Sequence, residues 1–138
     1  MPKTIIVSNR LPVRIEKEGS KYEYKPSEGG LATGLGSIYK EGNNIWIGWP
    51  GANFKDKALK AEVTQGLKKE NMKPVFLTDH EVEEYYLGFS NQTLWPAFHY
   101  FVQYIQYNEK FWKSYKRVNQ KFADVISESI EPGDIVWL

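Results

Sequence analysis

The 138 residues contain no cysteine. That one absence excludes disulfides, thiolate nucleophiles and cysteine-ligated zinc. Histidine is scarce, with two in the chain, His80 and His99, and neither has the spacing of a metal-binding set, so no metal site is expected. No apolar run approaches the length of a membrane span. The opening Met1-Pro2-Lys3-Thr4 lacks the apolar core and small-residue cleavage site of a secretory leader. Charge of one sign is lacking as well. Eighteen Lys and Arg against 17 Asp and Glu leave a net charge of +1, too little to draw the chain to nucleic acid or an acidic membrane surface. A cytoplasmic protein is expected, metal-independent and without a nucleic-acid or membrane partner. Its length fits one domain, or part of one, with a core of useful size.

Aromatic side chains are abundant: 15% of the residues, with five Trp and nine Tyr. Core packing accounts for many such rings. Sugar sites use the same residues, since flat faces fit pyranose C–H groups while the indole N–H and phenol O–H reach hydroxyls. Composition leaves both uses open.

Periodicity orders the elements. Thr4 to Ser8 is a short apolar, β-branched run of the kind covered on both faces. Val13 to Tyr24 alternates around Glu18-Gly19-Ser20-Lys21, a small hairpin that ends at Pro26. Leu31, Leu35 and Ile38 recur at helical spacing, which predicts a helix from about Gly30 to Gly42 with these three on its apolar stripe. Asn44 to Trp49 reads as a strand closed by Pro50-Gly51, and Ala58 to Lys69 as a helix burying Leu59, Val63 and Leu67. A third strand is predicted over Lys73 to Leu77. Thr78 with Glu81 three positions on forms a capping box for a helix over Asp79 to Gly88. An aromatic loop or pair of helical turns follows to Pro96. The longest helix spans Asn108 to Ile130, with Phe111, Tyr115, Val118, Phe122, Val125 and Ile126 inward. Ile135-Val136-Trp137-Leu138 begins a last strand after a turn. This alternation predicts an α/β fold with a mostly parallel sheet and helices on both faces. A strand reaching Leu138 without a closing turn reads as the edge of a larger α/β domain.

Three regions carry chemistry. Arg10 leaves the carboxyl end of the first strand, where ligands collect in open α/β sheets, and its guanidinium can hold a phosphate through two parallel hydrogen bonds. A surface Arg paired with a carboxylate is the plain alternative. Gly29-Gly30 opens an apolar helix, so free N–H groups and the positive end of the helix dipole face the same spot; a simple turn is the alternative. The dinucleotide pattern Gly-x-Gly-x-x-Gly does not occur directly after the first strand, which argues against a nicotinamide enzyme. The third region runs from Glu83-Glu84-Tyr85-Tyr86 to Leu94-Trp95-Pro96-Ala97-Phe98-His99-Tyr100. It is either an aromatic plug or a cleft wall, with Tyr86 offering a phenol and Trp95 an indole face.

Taken together, these stretches resemble the trehalose-6-phosphate synthase family, retaining glycosyltransferases that join glucose from a nucleotide sugar to glucose 6-phosphate. The resemblance rests on Val7-Ser8-Asn9-Arg10-Leu11-Pro12, Gly29-Gly30-Leu31-Ala32-Thr33-Gly34-Leu35, Trp46-Ile47-Gly48-Trp49-Pro50-Gly51, Glu84-Tyr85-Tyr86 through Phe89-Ser90-Asn91, Leu94-Trp95-Pro96-Ala97-Phe98-His99-Tyr100, and Trp112 through Tyr115-Arg117-Val118-Asn119. They keep the family order along the whole chain. It implies the N-terminal, acceptor-binding, Rossmann-like part of a two-domain GT-B enzyme. Arg10 and Tyr86 would bind the acceptor phosphate, Trp95 and Trp49 would line the acceptor sugar pocket, and Gly29 and Gly30 would lie beside the diphosphate of UDP-glucose. The parent would need no metal, stabilising the leaving diphosphate with cations and helix dipoles, and a homo-oligomeric parent is compatible with the resemblance. The family's acidic acceptor loop and the Arg and Lys that clamp the donor have no counterpart in these residues. The 138-residue chain alone is therefore expected to transfer no glucose. Two rivals stand beside this reading. One is a glycogen- or starch-synthase-like enzyme, which would carry a Lys before the glycines where this chain has Ser27-Glu28. The other is a subunit that senses phosphosugar without catalysis.

Overall fold

β1 (Thr4–Arg10) is the strand from which the sheet is built. Its apolar Ile5 and Ile6 are buried, and both of its neighbours run parallel to it: β4 (Ile45–Trp49) on one side and β6 (Ile135–Trp137) on the other. β5 (Met72–Pro74) adds to β4, also parallel, giving the order β5-β4-β1-β6. The computed structural model describes residues 1–138. They form two compact units, Met1–Phe76 with Asp124–Leu138, and Leu77–Ala123.

In the first unit, β2 (Val13–Glu18) and β3 (Lys21–Pro26) make the antiparallel hairpin that the alternation predicts. α1 (Gly30–Lys40) and α2 (Lys57–Lys68) are the crossovers from β1 to β4 and from β4 to β5. Asp56 caps α2, its carboxylate accepting from the Ala58 N–H at 2.8 Å. The crossovers carry the chain outward from β1 to β5, and the last strand then enters on the far side of β1. The winding direction thus reverses at β1, as in doubly wound sheets, whose crevice for ligands lies outside the carboxyl ends of the strands at that reversal. Arg10 ends the strand at which it occurs.

Ile6, Leu11, Val13, Tyr39, Trp46, Phe54, Val63, Leu67 and Met72 form one core. α1 departs from the predicted stripe. Leu31 is 57% exposed and Ile38 also faces solvent, while Tyr39 is the buried residue of the helix. The ring of Tyr39 meets Trp46 edge-on at 5.5 Å and its hydroxyl donates to the Glu70 carbonyl, which turns the helix toward the core by that edge. β5 is also shorter than Lys73 to Leu77. Pro74 has no N–H to extend a ladder and is tolerated because β5 is an edge strand; Val75 and Leu77 are buried without belonging to it.

In the second unit the Thr78–Glu81 capping box forms as read, with Thr78 Oγ1 accepting from the Glu81 N–H at 3.1 Å and Glu81 accepting from the Thr78 N–H at 3.0 Å. The helix it starts neither stops at Gly88 nor stays α-helical. α3 (Asp79–Glu81) widens into a π-helical stretch, Val82–Leu94, and narrows again into α4 (Trp95–Phe98). The segment expected as an aromatic loop or a pair of helical turns is helical, the second half of this coil. The Trp95 N–H reaches the Ser90 carbonyl, five residues back. Gly88, Phe89 and Thr93 are the buried residues of the stretch. α5 (Glu109–Ser127) is the longest helix and keeps its predicted inward face, with Val118 fully buried.

An ion pair fixes the entry to β6. The Lys3 ammonium lies 2.6 Å from Asp134, whose carboxylate also accepts from the Lys3 and Glu131 backbone N–H groups at 3.0 and 2.9 Å. Both side chains are buried. The hydrogen bond from the Lys3 ammonium, then that from its amide, holds the Asp134 carboxyl down at about 2. A carboxyl lowered by folding stabilises the native state above its unfolded pKa of about 4 and loses that contribution as pH falls toward 2. We expect urea titrations to show Asp134→Asn less stable than the unsubstituted protein at pH 7, with the gap closing between pH 4 and pH 2. A gap that persists unchanged at pH 2 would show that the ion pair is not its source.

Candidate functional site

The carboxyl end of β1 is bent on purpose. Val7 pairs with Ile47 and Arg10 with Trp49, so three steps along β1 match two along β4 and one residue is extra. Ser8 holds the bulge. Its hydroxyl accepts from the Trp46 indole N–H at 2.8 Å and donates to the Arg10 carbonyl at 2.7 Å. The Leu11 N–H then closes the ladder on the Trp49 carbonyl at 2.8 Å. Gly48 lies under the bulge, where a methyl group would stand 2.9 Å from the Ser8 carbonyl oxygen and 3.0 Å from the Leu11 nitrogen. Only glycine leaves room for this backbone approach.

The bulge buries Leu11 and leaves Arg10 exposed at the strand end. The Arg10 guanidinium enters no ion pair. It lies instead against Gly51, the first residue past the buried Pro50, where the backbone takes a φ of +86°. Across the ladder from Arg10, the indole of Trp49 is half-buried, and its Nε1–H is a buried donor without a partner. An exposed, unpaired cation and an unsatisfied N–H donor therefore end two adjacent strands. Unsatisfied buried donors are few in native proteins and call for a ligand, a water or an ion.

Gly29 and Gly30 stand on the same neck of chain. The hairpin inserted after β1 is closed at its base, where Val13 pairs with Pro26 and the Ser27 N–H donates to the Pro12 carbonyl at 3.1 Å. Arg10 lies two residues before that closure and Gly29 two residues after it, so the insertion adds length without moving the helix away from the strand end. Gly29 caps α1 with no side chain on its first-turn N–H groups and no acidic residue among them, and both glycines are exposed. Its φ of 163° is ordinary extended backbone. The pair thus serves openness at the helix start rather than an unusual turn.

Tyr86 and Trp95 belong to the other unit, on the coil of Asp79–Phe98. Tyr86 is 40% and Trp95 62% exposed. Trp95 stacks on the His99 ring with centroids 3.9 Å apart, and His99 Nδ1 lies 2.7 Å from the Trp95 carbonyl. His99 is therefore an exposed ring packed on an indole. Beside Tyr86, Tyr85 points into the unit against Tyr115, and burial first, then Tyr115 and Tyr86, pushes its hydroxyl up to about 12. One of two adjacent tyrosines is thus packed and the other presented. A polar network pins this coil to α5. Lys121 lies 2.7 Å and Arg117 3.6 Å from the buried Glu81, while the buried Ser114 donates to Glu84 and accepts from Arg117. Burial works to raise the Glu81 carboxyl, but the Lys121 and Thr78 hydrogen bonds and the two cations hold it below its usual range.

Sequence reasoning selected Arg10, Trp49, Gly29 and Gly30, which share the first unit, and Tyr86 and Trp95, which share the second. It gave no role to Ser8, Gly48 or Gly51. The available signal was a pair of glycines flanking Trp49-Pro50 at a strand end, where each suits a close approach or a positive φ. No group of three or more His, Asp or Glu side chains is arranged to hold a metal, and no helix is long and apolar enough to cross a membrane.

The sequence profile of glycosyltransferase family 20 matches residues 2–138. A UDP-forming alpha,alpha-trehalose-phosphate synthase of Botryotinia fuckeliana is 39% identical over 135 residues, 97% of this chain and 26% of that protein. The chain thus spans about a quarter of the length of the curated relatives it matches. Among solved structures, a Burkholderia xenovorans UDP-forming alpha,alpha-trehalose-phosphate synthase in complex with glucose-6-phosphate superposes with a TM-score of 0.66 at 28% identity, over 98% of this chain and 27% of that one. An E. coli structure described as trehalose-6-phosphate bound with UDP-2-fluoro glucose gives 0.68 at 29% identity, over 98% of this chain and 27% of that one.

The Ser8 hydroxyl is the testable part of the bulge. Ser8→Ala should leave the buried Trp46 indole N–H without an acceptor and lower stability by about 1–3 kcal/mol. Urea unfolding followed by tryptophan fluorescence measures this, and a midpoint equal to that of the unsubstituted protein would remove the relay from the account.

Proposed function

We propose, from the premise that this chain belongs to glycosyltransferase family 20, that the protein transfers glucose with retention from UDP-glucose to glucose 6-phosphate, giving trehalose 6-phosphate. The 138 residues supply the acceptor-binding, Rossmann-like side of a two-domain GT-B enzyme that works in the cytoplasm and needs no metal. The observation that carries this reading is the pairing of Arg10 with Trp49. An exposed guanidinium without a carboxylate stands at the reversal of a doubly wound sheet, and the next strand ends in an indole N–H without an acceptor. A phosphorylated sugar offers what both lack: a dianion for the cation and a ring oxygen or hydroxyl for the donor. The complexes of similar enzymes with glucose-6-phosphate and with a UDP-glucose analogue support the substrate pair.

In this reading Arg10 and the phenol of Tyr86 take the acceptor phosphate, and Trp95 and Trp49 face the acceptor sugar. Holding the phosphate fixes the sugar's position and brings its anomeric hydroxyl to the donor's front face, a contribution of orientation rather than of proton transfer. Gly29 and Gly30 lie against the donor diphosphate. The first-turn N–H groups of α1 then meet negative charge, and that charge grows as the glucosyl bond breaks. Without side chains at 29 and 30 the diphosphate can reach those N–H groups.

Arg10→Ala in the full-length protein should weaken glucose 6-phosphate by about 1.5–3 kcal/mol, the worth of a charge-assisted hydrogen bond, and leave the KM for UDP-glucose within about twofold. Steady-state kinetics with coupled detection of UDP, alongside calorimetric titration of glucose 6-phosphate, provides the measurement. Acceptor affinity unchanged by the substitution would reject the assignment.

A further inference from the structure

The winding of Val82–Leu94 decides which of its side chains share a face. Hydrogen bonds that reach five residues back, such as that from the Trp95 N–H to the Ser90 carbonyl, widen the coil. A turn then takes roughly 4.4 residues, about 82° per residue, in place of the α-helical 3.6 residues and about 100°. Tyr86 and Trp95 are nine positions apart. In an α-helix that spacing puts two side chains on opposite sides, about 180° apart. In the wider coil it amounts to about two full turns, and the two rings stand within about 20° of each other. Burial follows the wider winding. Gly88, Phe89 and Thr93 are buried, and at about 82° per residue they fall in one arc of roughly 80°. Tyr86, Leu87, Asn91, Gln92 and Trp95 are exposed and fall together in the remaining arc. At the α-helical step, buried Thr93 would lie beside exposed Tyr86. The Ser90 hydroxyl reinforces the five-residue span by donating to the Tyr85 carbonyl at 2.9 Å.

We infer that Asn91 is a third acceptor-binding residue, its side-chain amide holding a ring hydroxyl of glucose 6-phosphate between Tyr86 and Trp95. The inference rests on the reading of Tyr86 as a phosphate ligand and Trp95 as a wall of the sugar pocket, and it extends that site by one residue. Asn91 lies about one turn from each, and its bearing differs from theirs by at most about 50°. The row along the exposed face is therefore phenol, amide, indole. Gln92, the next residue, stands about 130° from Tyr86 and outside that row. An acceptor with its phosphate at Tyr86 and its pyranose face at Trp95 has to pass the amide between them. Asn offers two N–H donors and a carbonyl acceptor, which suits a hydroxyl that both gives and takes a hydrogen bond. The Asn91 side chain is exposed and has no hydrogen-bond partner within the protein, so no existing bond is broken on binding. The chemistry of the ligand selects the hydroxyl. With the anomeric hydroxyl turned to the donor, the one on C4, next to the carbon that bears the phosphate arm, meets the middle of the row.

Calorimetric titration of glucose 6-phosphate into the full-length protein tests this. Asn91→Ala is expected to weaken binding about 3–10-fold, the worth of one neutral hydrogen bond. Its Tm should be unchanged, because the residue is exposed and Ala suits a helix. Gln92→Ala is expected to keep full affinity. The 4-deoxy analogue of glucose 6-phosphate should bind Asn91→Ala and the unsubstituted protein equally, since it lacks the hydroxyl that the amide holds. Normal affinity in Asn91→Ala together with a loss in Tyr86→Phe would overturn the inference and leave the reading of the site standing. Full affinity in both Tyr86→Phe and Trp95→Ala would overturn that reading and the inference with it. Equal losses in Asn91→Ala and Gln92→Ala, or a loss in Asn91→Ala that the 4-deoxy analogue shows as well, would trace the effect to the helix rather than to a bond with the sugar, and so overturn the inference. Should Asn91→Ala fold poorly, the unsubstituted protein still decides. Glucose 6-phosphate is expected to shift the side-chain amide 15N–1H signals of Asn91, and silence of those signals at saturation would overturn the assignment.

Discussion

The Ser8 hydroxyl between the Trp46 indole and the Arg10 carbonyl is the contact on which the rest of the first unit's site depends. An unbulged β1 would continue in register with β4, and alternation would send successive side chains to faces set by the strand period alone. The bulge breaks that period once, at the strand end. Leu11 then enters the core while Arg10 stays outside it. Each partner of the bulge is needed for a different reason. Trp46 is buried and must place its N–H, Ser8 can both accept and donate, and Gly48 yields the volume into which the extra residue bends. The stability of the strand ladder thus sustains the aim of a cation that contributes nothing to folding through an ion pair.

The second unit reaches a comparable end by other means. Its presenting element is a helix whose widest part carries Tyr86. A π-helical coil is poorer in hydrogen-bond geometry than an α-helix and survives where packing compensates. Gly88 lets the Phe111 ring lie against the backbone, and Phe89 meets Tyr115 at 4.7 Å and Trp112 at 5.3 Å. The Glu81 network then ties the first turn of the coil to α5 through charges whose remaining polar atoms are also engaged. A buried carboxylate held this way is costly to disturb, since loss of one partner leaves charge without compensation. With the coil anchored in this way, Tyr86 and Trp95 remain exposed, Trp95 stacked on His99.

How much of this the sequence disclosed follows from the range of each interaction. The hairpin, the Thr78–Glu81 capping box and the inward face of α5 depend on neighbours a few residues apart, and local patterns showed them, while the alternation of strands and helices showed a mostly parallel sheet without its strand order. Of the predicted α1 stripe, Leu35 packs against the core while Leu31 and Ile38 do not, because the contacts of Tyr39 with Trp46 and the Glu70 carbonyl turn the helix. Past Gly88 the sequence left a loop and a pair of helical turns both open, because π-helical geometry gives no regular α-helical stripe to decide between them. Within the site, the residues offering charge or aromatic surface were picked out. Those that work by being small or by turning a hydroxyl, namely Gly48, Gly51 and Ser8, were not, since their value exists only once β1 and β4 lie side by side.

That division has a physical basis. A group that binds a ligand must carry the chemistry of binding, and residue type reveals it. A group that directs another acts through volume and position, and a glycine displays neither until its neighbours are in place. Arg10 shows why both kinds are needed. A guanidinium has five N–H donors, and an unguided one at a strand end would sweep through many rotamers, losing on binding the entropy it had kept while free. Here the bulge sets its origin and the turn at Pro50-Gly51 sets the surface along which it lies. Part of the ordering cost is thus met during folding, by contacts made among backbone atoms and one serine hydroxyl.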